Sequence, residues 1–298
     1  MNKLIAAVFL TPIVLMGQGV VGVGNFIHVV ANLDKSIEFY HDALGLDMTG
    51  APGPRAFSAN AVVSSLYDAP GAQSRVASFK IPDSPMAVEI VEFQGLNATP
   101  VSPHFFDPGA ITLTLTVQDL EAMKTRLHKI KGLEWISASR NISVKVRDPD
   151  GIFVNLVKSA KPPVPGVTAV EGIGLSLVVA DLGKTTQFYW NALGFLGNSG
   201  ATSARLQVPG DGFPVTFADL KYVDRKAVHS AIHDPGSGVL RLRVSDFEGV
   251  VKAMKDAGAT VVSAGGEPVN LGRNRAVIFR GPDNLFVQLL EAPPATAK

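Results

Sequence analysis

The chain has 298 residues, of which 46% are hydrophobic and 18% charged, a formal net charge of +1, and no cysteine. That is enough chain for two domains with cores of their own. It excludes a disulfide scaffold and a thiolate metal site. With no basic run, no zinc-finger spacing and no phosphate-cradling glycine loop, it also offers no electrostatic case for nucleic acid or an anionic membrane.

From the N-terminus, Lys3 precedes an apolar run, Leu4–Met16, which gives way to Gly17-Gln18-Gly19. A basic start, a short apolar stretch and small residues after it describe a secretory leader. The run is shorter than the roughly 20 residues that span a bilayer. The expectation is a signal peptide over residues 1–19, a mature chain from near Val20, and a periplasmic or secreted protein with no membrane contact after signal removal. A buried first strand is the other reading of the same run.

Four helices carry the same punctuation, an Asx residue to cap the first turn and a glycine at the end. They are expected at Asn32–Gly45, Asp119–Gly132, Asp181–Gly194 and Asp246–Gly258. In the first, Leu33, Ile37, Tyr40 and Leu44 share one face. Each helix follows a strand-like run, Phe26–Val30, Ile111–Val117, Leu175–Val179 or Leu240–Val244, and precedes further β-rich segments. The unit of strand, helix and two or three strands thus occurs four times. Lys161-Pro162-Pro163-Val164-Pro165-Gly166 separates the halves. The boundaries expected are a first domain over 20–160, a linker over 161–168, a second domain over 169–292 and a tail over 293–298.

The halves repeat one another. Residues 25–45 and 174–194 share Val-Val-Ala, Phe-Tyr and Ala-Leu-Gly at an offset of 149, and Asp107-Pro108-Gly109 matches Asp234-Pro235-Gly236 at an offset of 127. Arg147-Asp148-Pro149-Asp150 matches Arg280-Gly281-Pro282-Asp283. A repeat of this length means two copies of one folded unit. The fall in offset leaves the first half 22 residues longer before residue 81, a stretch that reads as a lid over a pocket or a surface loop.

These motifs resemble the vicinal oxygen chelate superfamily, the group of glyoxalase I, the bleomycin and fosfomycin resistance proteins and the extradiol dioxygenases. The resemblance is carried by Val30-Ala31-Asn32-Leu33, Phe39-Tyr40, Leu44-Gly45 and Asp148-Pro149-Asp150-Gly151, and in the second half by Val179-Ala180-Asp181-Leu182, Phe188-Tyr189 and Pro282-Asp283-Asn284. It implies an α+β fold of four βαβββ modules, paired into two domains whose curled mixed sheets form cups around a ligand. In metal-using members one ligand comes from the first strand of each module and one from the last. Those positions fall on Asn25, Glu89, Thr112 and Asn155 in the first half, and on Gly174, Thr216, Val239 and Gln288 in the second.

A catalytic zinc or non-haem iron wants about three strong ligands, histidines with a carboxylate. Neither set supplies them, so no metal ligand and no cofactor are expected. Of the histidines, His28 has the parity of a core residue, His41 and His128 lie on helices, and His104, His229 and His233 fall in loops.

The first cup is expected to be lined by Asn25, Glu89, Thr112, Thr114, Thr116 and Asn155, with Glu89 as its one charge. Glu89 reads as a general base, as a partner for a cationic ligand, or as an exposed strand carboxylate. The second cup is expected to present Arg241 and Arg243 beside Val239 and near Gln288, suited to a carboxylate or phosphate unless they pair with nearby acids. The reading is an exported protein, monomer or homodimer, that binds a small organic molecule without a metal. The alternative is a metal-dependent lyase, isomerase or ring-cleaving dioxygenase of the same superfamily, holding a divalent ion. A third reading is metal-free general-base chemistry through Glu89.

Overall fold

The computed structural model describes residues 19–50, 55–161 and 170–293. The apolar run Leu4–Met16, the link over 162–168 and the last residues 294–298 lie outside the described residues.

Four units follow one another along the chain. The first holds β1 (Val20–Val30), α1 (Leu33–Ile37, running on as a π-helical turn over Glu38–Ala43), β2 (Asp47–Met48), β3 (Ser58–Ala59), α2 (Ala61–Leu66), β4 (Gln73–Lys80) and β5 (Val88–Gln94). The second holds β6 (Ile111–Val117), α3 (Leu120–Leu127), β7 (Glu134–Ser139), β8 (Ser143–Arg147) and β9 (Phe153–Lys158). The third holds β10 (Val170–Val178), α4 (Leu182–Leu193), β11 (Leu196–Ser199), β12 (Ser203–Gln207) and β13 (Pro214–Ala218). The fourth holds β14 (Gly238–Val244), α5 (Phe247–Asp256), β15 (Thr260–Val261), β16 (Val269–Asn270), β17 (Arg275–Arg280) and β18 (Phe286–Glu291).

The helix starts follow from the capping residues. The side chains of Asn32, Asp119, Asp181 and Asp246 accept the backbone N–H of Lys35, Ala122, Lys184 and Gly249. The helix α4 ends at Gly194 in the left-handed region (φ +68°), as a glycine C-cap allows. The helix α3 stops at Leu127 instead of running to Gly132, because Lys129 and Ile130 donate back to Arg126 and Leu127 in three-residue turns.

The strands form two open mixed sheets. Sheet A has the order β15-β17-β18-β14-β1-β5-β4-β2, with β16 added on β17 and β3 on β4. Sheet B has the order β11-β12-β13-β10-β6-β9-β8-β7. The joins at their centres are antiparallel, β1 with β14 and β6 with β10. The first unit therefore shares a sheet with the fourth, and the second with the third. This corrects the expected composition of the cups: Asn25 and Glu89 lie on one sheet, Thr112, Thr114, Thr116 and Asn155 on the other. Counting along the chain pairs neighbouring units, and only the ladder shows which edges meet.

One face of both sheets is apolar and joins the helices in a single core, in which Phe26, Leu113, Leu156, Phe217, Leu240 and Val287 are fully buried. Two further contacts tie the sheets together, each made twice by the repeat. Asp150 accepts the N–H of Ala31 and the hydroxyl of Ser36, while Asp283 accepts the N–H of Ala180 and the hydroxyl of Thr185. The two Asp-Pro-Gly loops cross: Val101 donates to the Pro235 carbonyl and Val228 to the Pro108 carbonyl. Glycine is required there. Gly236 has φ +98°, and a Cβ on it would lie 2.7 Å from the carbonyl oxygens of Asp150 and Val101.

The halves differ at a buried polar cluster. His28 is fully buried with Nε2 3.0 Å from Asp148 Oδ2, and Tyr40 donates its hydroxyl to the same oxygen at 2.7 Å. The second half carries Leu177, Gly281 and Tyr189 at these repeat positions, and the Tyr189 hydroxyl is buried with no partner among the described residues. Burial pushes the His28 imidazole down, but the Asp148 carboxylate, Asp150 and the Ser237 carbonyl outweigh it, and the net shift is upward. For Asp148, burial pushes up and is outweighed by His28, the Tyr40 hydroxyl and the Ile152 N–H, so its carboxyl titrates below the usual range.

The raised His28 stabilises the fold fully below its ordinary value of 6.5 and loses that contribution as pH rises through its folded value. The depressed Asp148 stabilises fully above its ordinary 3.8 and loses it as pH falls through its folded value. Asp148→Asn should therefore cost about 3–5 kcal/mol between those two values, since it strands a buried imidazolium. Urea unfolding across pH checks this, and the deficit should shrink on both sides of that window.

Candidate functional site

The faces of the two sheets away from the helices have opposite characters. On sheet A, the central join brings together side chains from both ends of the chain. Arg241 meets Glu89 through two hydrogen bonds, Nη2 to Oε1 at 3.1 Å and Nη1 to Oε2 at 3.2 Å. Its Nε donates to Gln288 Oε1 at 2.9 Å, and Asn25 Nδ2 donates to Glu89 Oε2 at 2.7 Å. Gly24 leaves room for this crossing, since a Cβ there would sit 3.0 Å from Arg241 Cγ and Cδ. The guanidinium and the carboxylate are 18% and 16% exposed, so the pair sits at the edge of solvent.

The remainder of that face is filled. The longer stretch of the first half supplies α2 and the residues after it, and Leu66, Tyr67, Ala69 and Ala72 pack on Ile27, Val91, Val239 and Phe286. The turn is anchored by Asn60, whose side chain accepts the N–H groups of Val62 and Val63, and by Ser263, which donates to the Leu66 carbonyl. Among the described residues the Tyr67 hydroxyl is buried without a partner. Burial raises its pKa, the negative Glu89 raises it further, and Arg241 opposes both.

Sheet B is open on the same side. Register places Thr114 beside Asn155 and opposite Gly174, and Ser176 beside Thr216. Lys145 lies opposite Asn155 on β8 and so shares this face. A Cβ on Gly172 or Gly174 would meet nothing within 4 Å, which leaves this part of the face clear. At one end Phe105 meets Phe153 edge to face at 5.4 Å, in a small apolar cluster with Val178 and Leu220. The Lys145 ammonium stands 3.4 Å over the centre of the Phe105 ring. Burial lowers its pKa to about 8.

The eight expected site residues thus divide three ways. Asn25, Glu89, Arg241 and Gln288 form one network on sheet A. Thr112, Thr114 and Asn155 line sheet B. Arg243 is exposed at the rim of sheet A, 3.7 Å from Asp211, and joins neither group. Arg241 also has an acidic partner that the sequence did not assign to it, because Glu89 comes from the opposite half. The segment carrying His229 and His233 is a loop, and His41 contacts the Leu46 carbonyl. Lys145 was missed, although its alternation with Val144 and Val146 and the hairpin through Asp148-Pro149-Asp150-Gly151 set it on the Asn155 face.

The donor sets on the two faces do not suit a divalent ion. Sheet A offers one carboxylate, already bound by a guanidinium, and two amides; sheet B offers hydroxyls, one amide and an ammonium. Among the described residues no three His, Asp or Glu side chains converge.

Comparison with known proteins agrees with this architecture. Residues 22–156 match the sequence model of the Glyoxalase/Bleomycin resistance protein/Dioxygenase superfamily. No curated protein sequence matches the chain. Among solved structures, a "putative dioxygenase" from Bacillus subtilis subsp. subtilis str. 168 is similar with a TM-score of 0.61 and 17% identity, over 93% of this chain and 87% of that one. Glyoxalase I from Zea mays is similar with a TM-score of 0.57 and 16% identity, over 90% of this chain and 91% of that one. At these identities the likeness is one of fold.

The sheet A network predicts strong coupling. Arg241→Met should cost about 1–3 kcal/mol by leaving Glu89 a half-buried carboxylate with only Asn25 as donor. In a double-mutant cycle with Glu89→Gln, read by urea unfolding, the two losses should fall short of additive by at least ~0.5 kcal/mol.

Proposed function

We propose that the chain, whose residues 22–156 match the Glyoxalase/Bleomycin resistance protein/Dioxygenase superfamily, is a member of that superfamily that binds a small organic molecule on an open sheet face without a resident divalent metal. One observation carries the reading. The Arg241 guanidinium is bonded to Glu89 and Gln288, two of the positions where the family resemblance implies metal ligands. A fixed positive charge there opposes a metal ion by repulsion and uses up the carboxylate that would hold it. Asn25 completes the carboxylate's hydrogen bonds.

Binding is assigned to sheet B, because the matching face of sheet A is filled by Leu66, Tyr67 and their neighbours. Thr112, Thr114 and Asn155 are the polar contacts, and Phe105, held by Phe153 beneath it, the apolar one. Apolar surface with a few convergent polar groups is the usual lining of a small-molecule site. Arg241, Glu89, Asn25 and Gln288 serve as a clamp between the first and fourth units, and Arg243 as a rim charge. Export belongs to the same proposal and rests on Lys3 and the apolar run Leu4–Met16.

Two measurements test it. The full chain purified from its own cell should hold far less than one zinc, iron, nickel or manganese per molecule by plasma mass spectrometry; a stoichiometric, chelator-removable ion overturns the reading. Intact-mass analysis of the same sample should show an N-terminus near Val20, and an uncleaved chain would remove the export claim.

A further inference from the structure

Lys145 is the one feature of the open face of sheet B that the fold does not explain. Its ammonium sits on β8 beside Asn155, over the face of Phe105, and half withdrawn from water. Burying a cation without a counter-charge is costly. The charged groups on the surrounding elements are all accounted for. Arg147 on the same strand is paired with Glu134 on β7 and bonded to the Pro103 carbonyl. His104, next to Phe105, is paired with Asp107. Lys221 and Arg225 both hold Asp219. Arg205 on β12 is exposed at the far rim. Glu134 and Asp219 already have cations, Asp107 accepts the backbone N–H groups of His104 and Lys226, and among the described residues no acid forms an ion pair with Lys145.

The contrast with sheet A sharpens the point. There the cation on the face away from the helices is neutralised from within, by Glu89. The corresponding face of sheet B has hydroxyls, an amide and two glycines, and Lys145 on it lies against the Phe105 ring with no acid beside it. The missing counter-charge is the one an incoming molecule would supply.

We propose that the open face of sheet B binds a small organic anion, its carboxylate or phosphonate group held by Lys145 with Thr114 and Asn155, and its apolar body lying against Phe105. The proposal rests on the reading of sheet B as the binding face and adds the charge of the ligand. The ammonium supplies a charge-assisted hydrogen bond to the anion, and the Thr114 hydroxyl and the Asn155 amide supply neutral ones. Phe105 is partly exposed and takes the apolar body, while the fully buried Phe153, with Arg147 over its ring, holds Phe105 under the ammonium by its edge-to-face contact. The site is selective for charge because a neutral ligand would leave the ammonium without its anion.

The test uses the full chain with benzoate, phenylphosphonate, benzamide and inorganic phosphate as probes, by calorimetry and by amide shifts. Benzoate or phenylphosphonate should bind, with shifts at Thr114, Asn155 and Gly174, and at least ~10-fold more tightly than benzamide, a difference of about 1.4 kcal/mol. Lys145→Met should remove most of that preference, and Lys145→Arg should retain it. Because the ammonium titrates near 8, affinity should fall between about pH 6.5 and about pH 9.5, though a bound anion moves the midpoint up. Circular dichroism of both variants shows that they remain folded.

Equal binding of benzoate and benzamide at these same residues overturns the anion proposal and leaves the binding face standing. Phosphate binding as tightly as benzoate overturns the part played by the apolar body. Shifts confined to Glu89, Arg241 and Gln288, or no binding by any probe, overturn the proposal, and the first of these also overturns the assignment of sheet B as the binding face.

Discussion

The constraint on which the structure depends is the antiparallel ladder between β1 and β14, matched by that between β6 and β10. Main-chain hydrogen bonds there join the first unit to the fourth and the second to the third. The outer pair closes a loop of about two hundred residues, and the cost grows only slowly with loop length. Each sheet is consequently built from both halves, and neither face away from the helices belongs to one half. The Arg241–Glu89 bond exists because of this pairing, since the two residues are 152 positions apart.

The same pairing explains the latches. Asp150 and Asp283 reach from the closing turn of one sheet to the residue before the helix cap of a unit in the other, so each sheet holds a helix start of its counterpart. His28 and Asp148 add a buried ion pair at one of the two equivalent places only. The two copies share the backbone contacts and differ in buried charge.

The faces away from the helices show the same divergence. On sheet A the inserted segment with α2 brings Tyr67 and Leu66 onto the apolar half, and an internal ion pair occupies the polar half. On sheet B there is no insertion, the floor is glycine and threonine, and a lysine is left without an acid. One face is covered by its own chain and the other is left to the solvent. The physical difference is where the counter-charge of each cation comes from.

Much was legible in the sequence. The Asx caps, the period-two strands and the internal repeat located the helices and the main strands, because capping, alternation and repetition are local properties of the chain. The family resemblance rested on the same local motifs, and the matched residues bear it out. The choice of partner strands is a long-range property. No local signal says that β1 lies against β14, and so the expected cups mixed residues of different sheets. Asn25, Glu89, Arg241 and Gln288 were all named, but as members of two sites. Lys145 drew no notice because its environment, an aromatic face and no acid, is made entirely by tertiary contact. The amino-acid sequence alone determined the repeated unit, because its caps and alternation are local. Only the tertiary structure decided which charges neutralise one another, because Coulomb interaction follows distance in space and not separation along the chain.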